Sequence, residues 1–465
     1  MIYKKVYLLA LISLISISGF SQDISRHSMH NLPSASLTNA SFFPDFRYSV
    51  GILPFPQFYF GFETNLRIRN LYSIQDSTVI LHVNDFLNKM PKVNYFRIGL
   101  DYEILSGSFK IKKNYFSLAF TTHMSSELRL PRDLFALAWR GNGAFIGDRI
   151  SFDGLGVDFA AYNEYAIGYS REITDKLNVG IRYSLLQGIA NLKTSTKIGL
   201  TTDTGTYWLH ADYDINVSMS GPIDTSLFSD NSNEDPLGDF LGTPSNLFSF
   251  SNFGFGIDLG ADYDLSDNFN IALSLNDLGY IKWKNDVKNY AIEGGLLSFK
   301  GIEIDSSFNI EFDSTFFSNL QDSIFSLLEP KKTSEPYRSS LAPKLYMTLS
   351  YAYNEKNRFG FVFYNHFHKD YNMASFSLLY NRKLWKFIDL AGNYTFNTFG
   401  QNRFGAGVSL RIMGSNFYIM TNDVGSFFNP ANANNINLNF GCYYVKRKPP
   451  KEKDKLKKKK SDFEF

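Results

Sequence analysis

The stretch Asn435-Ile-Asn-Leu-Asn-Phe-Gly-Cys-Tyr-Tyr-Val445 alternates apolar residues with polar or small ones over its whole length. Successive side chains of a β-strand point to opposite faces, so this stretch predicts a strand with one apolar and one polar face. Its apolar face consists of Ile436, Leu438, Phe440, Cys442 and Tyr444. A strand of this kind suits the wall of a membrane barrel or one sheet of a soluble sandwich.

The same alternation recurs along the chain, and aromatic residues are frequent on the apolar face. Residues 57–66, 96–103, 269–275 and 359–363 all show it. Repeated strands with aromatic residues on one face and polar or charged residues on the other are typical of membrane β-barrels. The sequence therefore predicts an all-β fold, a transmembrane antiparallel β-barrel with lipid outside and a polar lumen inside.

Short polar segments separate several of these strands. Residues 173–178 resemble residues 265–270, and residues 354–357 and 381–383 occupy equivalent places. Segments rich in Asp, Asn and Ser favour tight hairpin turns. In outer-membrane barrels the short turns face the periplasm and the long loops face the outside. The four turns are therefore predicted to be periplasmic.

Placing these turns in the periplasm fixes the direction of every neighbouring strand. It makes residues 201–250 and 284–338 long extracellular loops and puts the C-terminus in the periplasm. The result is a barrel of about 14 strands. Their predicted ranges are 57–67, 94–107, 113–122, 160–171, 176–192, 252–263, 268–282, 341–353, 357–368, 371–381, 386–397, 403–412, 415–421 and 435–445.

Composition agrees with a membrane barrel. Only 20% of the 465 residues are charged, and 45 Phe and 28 Tyr supply the aromatic face. No stretch beyond the N-terminus approaches the roughly 18 apolar residues of a membrane helix. The single cysteine, Cys442, excludes an internal disulfide and a cysteine-based zinc site.

The formal net charge of +2 is unevenly distributed. Residues 446–465 contain ten Lys or Arg and four Asp or Glu, so this tail carries +6 and the remainder of the chain −4. A charge run of this kind predicts a disordered basic tail. Because the basic balance belongs to the tail, it does not indicate a nucleic-acid partner.

Residues 1–21 have the parts of a secretory signal peptide. Lys4 and Lys5 precede an apolar core, and small residues come just before Gln22. Export of a chain with membrane-barrel patterning predicts the cell outer membrane of a Gram-negative bacterium, with the C-terminal tail in the periplasm.

Residues 22–56 are predicted to form a hatch, or plug, inside the barrel; a periplasmic strap is the alternative. Residues 46–52 alternate and are interpreted as a short strand of this hatch. They could instead add a strand to the wall, which would reduce the hatch to residues 22–45. The aromatic residues predicted for the hatch are Phe42, Phe43 and Phe46. The chain thus divides into a signal peptide (1–21), a hatch (22–56), a barrel (57–445) and a tail (446–465).

The inward faces of the predicted strands carry charges of both signs. A barrel of about 14 strands is narrower than the 16–18 strands of open porins. We therefore expect ion pairs across the lumen and a plug, without a wide aqueous channel. The polar lumen residues predicted are Arg97, Asp101, Glu103, Glu164, Arg182, Asp258, Asp262, Lys344, Arg358, Asp389 and Arg411.

Three short motifs carry a family resemblance across residues 22–445. They are Ser34 to Asp45, Asp277-Leu-Gly-Tyr-Ile-Lys-Trp283, and Asn429-Pro-Ala. With them the chain resembles an uncharacterised family of Bacteroidota outer-membrane barrels, loosely akin to the FadL-type long-chain fatty-acid transporters. In those transporters the plug carries Asn-Pro-Ala; here the matching place reads Asn39-Ala40-Ser41, without the proline.

The resemblance implies a fourteen-stranded barrel with an N-terminal hatch, and passive diffusion of hydrophobic compounds. Related barrels serve instead as components of secretion systems or of surface attachment. The resemblance therefore implies outer-membrane lipid as a partner and leaves a periplasmic or secretion-complex protein as a second kind of partner.

Motifs for catalysis and for cofactor or metal binding are lacking from the sequence. It has no Gly-rich phosphate loop, no His-Glu-x-x-His and no Cys/His zinc spacing. His366 and His368 lie on one strand face and are interpreted as polar residues of the lumen. We therefore expect no enzyme activity, no cofactor and no metal site.

Two functions remain open on the sequence. The leading hypothesis is uptake of small hydrophobic molecules past the hatch. The alternative is a non-transporting barrel that acts as a scaffold for a secretion or cell-surface complex through residues 201–250 and 284–338.

Overall fold

We analysed a computed structural model of the chain. The structure describes residues 24–30, 32–42, 44, 46–52, 54–76, 78–223, 251–292, 294, 296–299, 330–368, 372–385, 387–397, 402–429 and 433–447. The predicted signal peptide, residue Phe43 and most of the predicted tail lie outside these residues.

Within the described residues the chain forms 23 strands and four α-helices. The strands are β1 (Phe46–Gly51), β2 (Gln57–Thr64), β3 (Tyr72–Gln75), β4 (Thr78–Leu81), β5 (Val93–Ile111), β6 (Asn114–Pro131), β7 (Arg149–Ser151), β8 (Gly156–Glu172), β9 (Leu177–Thr202), β10 (Leu209–Ser220), β11 (Asn252–Asp264), β12 (Phe269–Trp283), β13 (Val287–Ile292), β14 (Leu296–Phe299), β15 (Lys331–Thr333), β16 (Tyr337–Ser340), β17 (Lys344–Ala352), β18 (Asn357–Phe367), β19 (Asn372–Trp385), β20 (Ile388–Asn397), β21 (Asn402–Ile412), β22 (Ser415–Thr421) and β23 (Asn435–Arg447). The α-helices are α1 (Ile24–Ser28), α2 (Val83–Lys89), α3 (Arg132–Arg140) and α4 (Gly425–Phe428), and 3₁₀ turns span Pro33–Leu37, Ile68–Asn70 and Asn142–Phe145. No helix among the described residues is long and apolar enough to cross a bilayer.

The strands close into an antiparallel barrel. Around the ring the order is β1 with β2, then β5, β6, β8, β9, β11, β12, β16 with β17, and β18 to β23 in sequence. The ring closes because β2 hydrogen-bonds to both β5 and β23. The described strands thus occupy 14 positions, and each of the predicted ranges overlaps one of them. This confirms the predicted fold class.

The two faces of the barrel differ as the alternation predicts. On β12, Phe269, Ile271 and Leu273 point outward and are 43–46% exposed, whereas Ala272 and Ser274 point inward and are 1% exposed. An outer surface of exposed apolar side chains suits lipid and would be costly in water. The barrel is therefore a transmembrane one.

The first position of the ring is shared by two short strands. β1 pairs with the end of β23 and with residues 107–109 of β5, and β2 pairs with the rest of both neighbours. Both run in the same direction, so they are one wall strand interrupted at residues 52–56, where Pro54 and Pro56 cannot donate backbone hydrogen bonds. The predicted hatch boundary at residue 56 is therefore wrong: residues 46–51 belong to the wall and add no extra position to it.

A second wall strand is interrupted in the same way. β16 pairs with residues 280–283 of β12, and β17 pairs with residues 269–276, leaving 341–343 between them. Opposite the interruption Asp277 has φ +61°, a left-handed conformation that inserts an irregularity into β12. The motif from Asp277 to Trp283 thus marks this irregularity, and it ends on Trp283, which is fully buried.

The two ends of the barrel differ in size. One end has tight turns, such as the turn at Met413 and Gly414, whose φ values of +50° and +89° fit a hairpin. At the other end β9 runs on to Thr202 and pairs with β10, which also pairs with β13 and β14. β9 therefore extends ten residues beyond its predicted end, because it continues past the barrel into this outer sheet. β6 extends nine residues beyond its predicted end, and this part stays in the wall, paired with β5 and β8. We call the two ends the short-turn end and the long-loop end.

Candidate functional site: the hatch and the barrel lumen

The described part of the N-terminal segment, residues 24–30 and 32–42, packs against the inner face of the barrel. Its first helix, α1, buries Ile24 completely in a cluster with Tyr346, Val362, Tyr364, Met373 and Leu379, which come from β17, β18 and β19. We call residues 24–42 the hatch segment. Its short sequence Ile-Ser-Arg-His-Ser has no helical periodicity, so these contacts, and not local propensity, hold the helix in place.

A second apolar cluster holds the next part of the hatch segment. Met29 and Leu32 pack with Ala391, Tyr418, Met420 and Tyr443 of β20, β22 and β23. Pro33 then begins the 3₁₀ turn, where its fixed φ and missing N–H cost nothing. Both clusters therefore attach the hatch segment to the same side of the lumen.

Hydrogen bonds fix α1 on that side. The backbone N–H of Ser25 donates to Asn422 (2.9 Å), and the Asn393 amide donates to the Ser25 hydroxyl (2.8 Å). The Asn381 amide donates to the Ser28 carbonyl at 2.6 Å. A polar group buried without a hydrogen-bond partner costs free energy, and these bonds supply the partners that the polar groups of α1 need in this position.

His27 sits at the centre of the hatch segment and is fully buried. Its Nε2 lies 2.7 Å from the Thr348 hydroxyl and its Nδ1 lies 3.0 Å from the Thr38 hydroxyl. Its ring stacks on Tyr346 with centroids 4.7 Å apart. Burial lowers the pKa of His27 to about 3, so the imidazole is neutral in the seated hatch.

The end of the hatch segment meets the opposite wall through its backbone. The Thr38 carbonyl accepts hydrogen bonds from Ser274 (2.7 Å) and Asn276 (2.8 Å) of β12. Two wall glycines make room for this approach: a Cβ at Gly180 would collide with the backbone of Ala40 and Ser41, and one at Gly260 would collide with Asn39 and Ser41. Here glycine is required because two backbones come together.

The predicted hatch aromatics divide between hatch and wall. Phe42 is 2% exposed, stacks on His30 with centroids 4.2 Å apart, and packs against Ala272. Phe46 is 4% exposed but belongs to β1, so it is a wall residue and its assignment to the hatch is wrong. Phe43 lies outside the described residues.

The predicted lumen charges form a ladder across seven neighbouring wall positions. His123 bridges Asp101 (2.7 Å) and Glu164 (2.8 Å), and Arg182 pairs with Glu164 (3.8 Å) and Asp258 (2.6 Å). The backbone N–H of Asp277 donates to Asp258, and Lys344 pairs with Asp277 at 2.7 Å. The ladder therefore runs without a gap from β5 to β17.

A second charged group lies nearer the long-loop end. Arg97 donates to Glu127 at 2.6 and 2.9 Å, and Arg129 holds Asp158 with two hydrogen bonds of 2.7 and 3.2 Å. Glu63, which is paired with Arg97 in register on the neighbouring strand, forms an ion pair of 2.9 Å with Arg403, and both side chains are at most 3% exposed. Each of these charges has a partner of opposite sign, as buried charges require.

The remaining predicted lumen residues lie toward the short-turn end. Glu103 accepts hydrogen bonds from Ser106 and Tyr443, Asp389 pairs with Arg411, and Asp262 accepts one from Asn270. Arg358 is exposed and lines the mouth of the barrel. All the predicted polar lumen residues thus face inward, but most of them pair with neighbouring strands and do not reach across the lumen.

Two cavities open into the lumen among the described residues. One, of about 510 Å³, lies toward the long-loop end and is lined on one side by Phe159, Tyr162, Ile281 and Leu341 and on the other by charged residues including Arg97, Glu127, Lys344 and His368. The other, of about 800 Å³, opens at the short-turn end and has Met29, His30 and Leu32 on its inner surface. We call the first cavity the vestibule and the second the short-turn cavity. Hatch residues line the short-turn cavity, whereas the described lining of the vestibule comes from other parts of the chain.

His366 and His368, interpreted above as polar residues of the lumen, both line the vestibule. Their ring centroids are 6.2 Å apart. Among the described residues no group of three or more His, Cys, Asp or Glu side chains is placed to hold a metal ion.

A protein family described as a family of unknown function, DUF5723, matches residues 41–422. The chain belongs to this family. The match covers most of the chain, from the end of the hatch segment to the end of β22, and it confirms the resemblance to an uncharacterised barrel family. No curated protein matches the chain.

Solved structures with a similar shape are membrane barrels of low sequence identity. The toluene transporter TbuX of Ralstonia pickettii is 10% identical over 93% of this chain and 99% of its own, with a TM-score of 0.44. A FadL homologue of Pseudomonas aeruginosa is 8% identical over 92% and 98%, with a TM-score of 0.46. The toluene transporter TodX of Pseudomonas putida is 11% identical over 94% and 96%, with a TM-score of 0.39.

Several residues of the site escaped the sequence reasoning. Ile24, His27, Met29 and Leu32 lie in a segment without periodicity, so nothing in the sequence marks them as anchors. Charged residues such as Glu127 lie beyond the predicted strand ends. If the alternating pattern of β6 is extended toward the long loops, Glu127 falls on the inward face.

Proposed function

We propose that this protein is an outer-membrane channel for small hydrophobic molecules, and that the hatch segment opens and closes it. The observation that carries the proposal is that residues of the hatch segment contact the inner face of wall strands on several sides of the barrel and line the short-turn cavity. The vestibule offers an apolar wall of Phe159, Tyr162, Ile281 and Leu341, which suits the apolar part of a solute. A solute that enters there must displace the hatch segment to reach the short-turn cavity.

The contacts of the hatch segment support a movable part. It is held by side-chain hydrogen bonds and three small apolar clusters, without the continuous backbone ladders that join the wall strands. Segments with fewer buried contacts open at lower free energy than the structure around them. The hatch segment can therefore move while the barrel stays closed.

Cross-linking the hatch segment to the wall tests this proposal. In a Cys442→Ser background, cysteines at Ser25 and Asn393, whose side chains are in hydrogen-bond contact, would be joined by oxidation or by a short thiol cross-linker. The measurement is uptake of a fluorescent aliphatic alcohol by cells of a double-membraned bacterium, with equal amounts of protein at the surface. We expect uptake to fall at least tenfold when the link forms and to recover when it is reversed.

A wall-to-wall link is the matched control. Ser377 and Thr395 face each other on β19 and β20, with hydroxyls 2.7 Å apart, so S377C/T395C joins two wall strands and leaves the hatch segment free. This link should leave uptake unchanged. If uptake is the same whether the cross-link between positions 25 and 393 is formed or broken, the proposal is overturned.

A scaffold is the second candidate, and one feature of the long-loop end favours it. The outer sheet built on β9 and β10 ends in a turn where Tyr207 is 56% and Trp208 is 42% exposed. Exposed aromatic residues on a rigid support suit a protein partner. A scaffold predicts that Y207S/W208S loses a protein that co-purifies with the native barrel from its own membranes, without any change in solute uptake.

A further inference from the structure

Two contacts on the long-loop side of the hatch segment join wall strands that lie far apart in the ring. The Tyr95 hydroxyl lies 3.9 Å from the Met373 sulfur, and Nε2 of His368 lies 3.7 Å from Glu127. Tyr95 is on β5 and Met373 on β19, six positions apart in a ring of 14. Glu127 on β6 and His368 at the end of β18 are also six positions apart.

Contacts of this kind require opposed walls to approach each other. Fourteen tilted strands would form a circular ring roughly 28 Å across, measured between the backbones of opposite strands. Two side chains in contact cannot span that width, so the barrel is flattened between β5–β6 and β18–β19. At this level the lumen is closed by side chains of the wall itself.

The closing residues are packed in place. Tyr95 and Met373 are each 2% exposed, and the side chain of Glu127 is 6% exposed and held by Arg97. Glu63 and Arg403, three positions apart in the ring, form a buried ion pair that bridges another part of the same end. We call Tyr95, Glu127, His368 and Met373 the wall closure.

We propose that the wall closure is a second gate, distinct from the hatch, and that a solute passes only when both open. Glu127 and His368 also line the vestibule, so a solute in the vestibule touches the wall closure directly. Met373 belongs to the same cluster as Ile24 of the hatch segment. One side chain thus takes part in both barriers, which couples the movement of the hatch segment to the wall closure.

This inference rests on the proposed function, since a gate needs a passage. It also deepens that function, because it makes the vestibule a site where a solute waits between binding and release. The residues that select solutes would then include Tyr95 and Met373 as well as Phe42 of the hatch segment. A single-gate channel would need only the hatch segment.

Conductance of the full chain in planar bilayers tests the proposal without any knowledge of the solute. Tyr95→Ala shortens one side of the wall closure, and Ile24→Ala removes the anchor of the hatch segment. We expect each single variant to stay within about threefold of the conductance of the parent protein and the double variant to exceed both by at least tenfold, since two barriers in series must both be removed.

Tyr115→Ala is the matched control, because Tyr115 is an equally buried inward tyrosine, 2% exposed, that contacts Phe46 toward the short-turn end. Combined with Ile24→Ala it should give no such increase. If Ile24→Ala alone conducts as well as the double variant, the second gate does not exist and the proposal is overturned. If Tyr95→Ala alone does so, the wall closure is the sole barrier and it is the hatch-gated function that fails.

A cross-link decides the matter if the double variant does not fold. Cysteines at Tyr95 and Met373 in the Cys442→Ser background, joined by a short bis-maleimide, would fix the wall closure in the Ile24→Ala protein. Labelling of a cysteine at Ser375, which is fully buried next to Met373, by a membrane-impermeant thiol reagent is the readout. Labelling should slow at least tenfold when the link is made; an unchanged rate overturns the proposal.

Discussion

The two halves of the lumen wall are built differently. From β5 to β12 the inward face carries the charged ladder, in which each charge pairs with a neighbouring strand. From β18 to β23 most of the described inward residues are uncharged, and the charges present, such as Arg403 and the Asp389–Arg411 pair, form separate ion pairs and no ladder. We call this the uncharged half. Its buried uncharged residues include Tyr364, Ser375, Ser377, Asn393, Thr395, Ser409, Asn416, Tyr418, Asn437 and Asn439.

The hatch segment uses the two halves in different ways. Its apolar side chains Ile24, Met29 and Leu32 enter the uncharged half, whereas its backbone meets the charged half over Gly180 and Gly260. Charged groups that already form ion pairs with each other give the hatch segment few binding contacts, whereas amides, hydroxyls and apolar pockets do bind it. The charged half therefore stabilises the barrel, and the uncharged half holds the hatch segment.

The largest effect is expected from breaking the ladder. Arg182→Gln leaves Glu164 and Asp258 buried without their cation, and removing one partner of a buried ion pair costs about 3–5 kcal/mol. The free energy of unfolding in urea, measured in lipid vesicles, should fall by this amount. Ser377→Ala on the uncharged half removes only one neutral hydrogen bond and should cost about 1 kcal/mol. Equal losses for the two variants would contradict the division of labour.

Removal of the hatch anchor should act on the hatch segment alone. Ile24→Ala deletes a fully buried side chain, which costs about 2–5 kcal/mol. We expect hydrogen exchange of the amides of residues 24–42 to speed up accordingly, while the urea midpoint of the barrel stays unchanged. Ile98→Ala is the control, because Ile98 faces lipid and is 38% exposed. It should change neither the hydrogen exchange of residues 24–42 nor the urea midpoint of the barrel. A shift of the barrel midpoint in Ile24→Ala would show that both halves share one role.

A methyl group on the charged half should displace the backbone of the hatch segment. At Gly260 an added Cβ collides with Asn39 and Ser41, and forced overpacking costs about 1–3 kcal/mol. Thiol labelling of a cysteine at Ser34 should therefore be faster in Gly260→Ala. Gly256, on the same face of the same strand, has open room, with its nearest neighbour at 3.5 Å, so Gly256→Ala should label like the parent. Identical labelling of the two variants would mean that the hatch segment does not rest on Gly260.

The smallest expected effect is a dependence of hatch seating on pH. Because burial lowers the pKa of His27 from 6.5 to about 3, an exposed hatch binds a proton more readily than a seated one. Seating is therefore complete above pH 6.5 and weakens as the pH falls, by roughly threefold between pH 7 and pH 6 for this one group. Hydrogen exchange of residues 24–42 as a function of pH, corrected for the intrinsic rate, measures it.

His30 adds to the same trend, since burial, Arg358 and His27 lower its pKa as well. His27→Asn should therefore reduce the pH dependence, and a double variant with His30→Asn should abolish it. If the pH dependence survives both substitutions, it originates in the charged half, and this would contradict the division of roles between the two halves.

Much of the barrel could be predicted from the sequence because strand alternation is local. Each range from residue 57 to residue 445 was read from its own side chains, and the tight turns then fixed the directions of all neighbours. The end of β9 could not be read in this way, since there the outer sheet, and not lipid, decides which side chains are buried. The end of β6 continues in the wall between β5 and β8, where its inward charges pair with the neighbouring strands. The inward position of the charged residues follows from the alternation of side chains within each strand, but their partners depend on the register between neighbouring strands.

The hatch and the gates could be predicted only in outline. Phe42 is buried against Ala272, whereas Phe46 lies in the wall. The two cannot be told apart from the sequence, because the hydrogen bonds of β1 to β5 and β23 are made by backbone atoms that are the same in every residue. Ile24 and Met29 carry no pattern, and their role arises only from pockets between strands distant in sequence.

The sequence by itself determined the barrel, its strand number and its two faces, because a period of two residues and the chemistry of lipid and water are both written in neighbouring side chains. The tertiary structure alone decided what closes the lumen. Tyr95 meets Met373 across the ring, and the backbone of the hatch segment rests on Gly180 and Gly260, because closure of the ring brings together residues that are hundreds of positions apart.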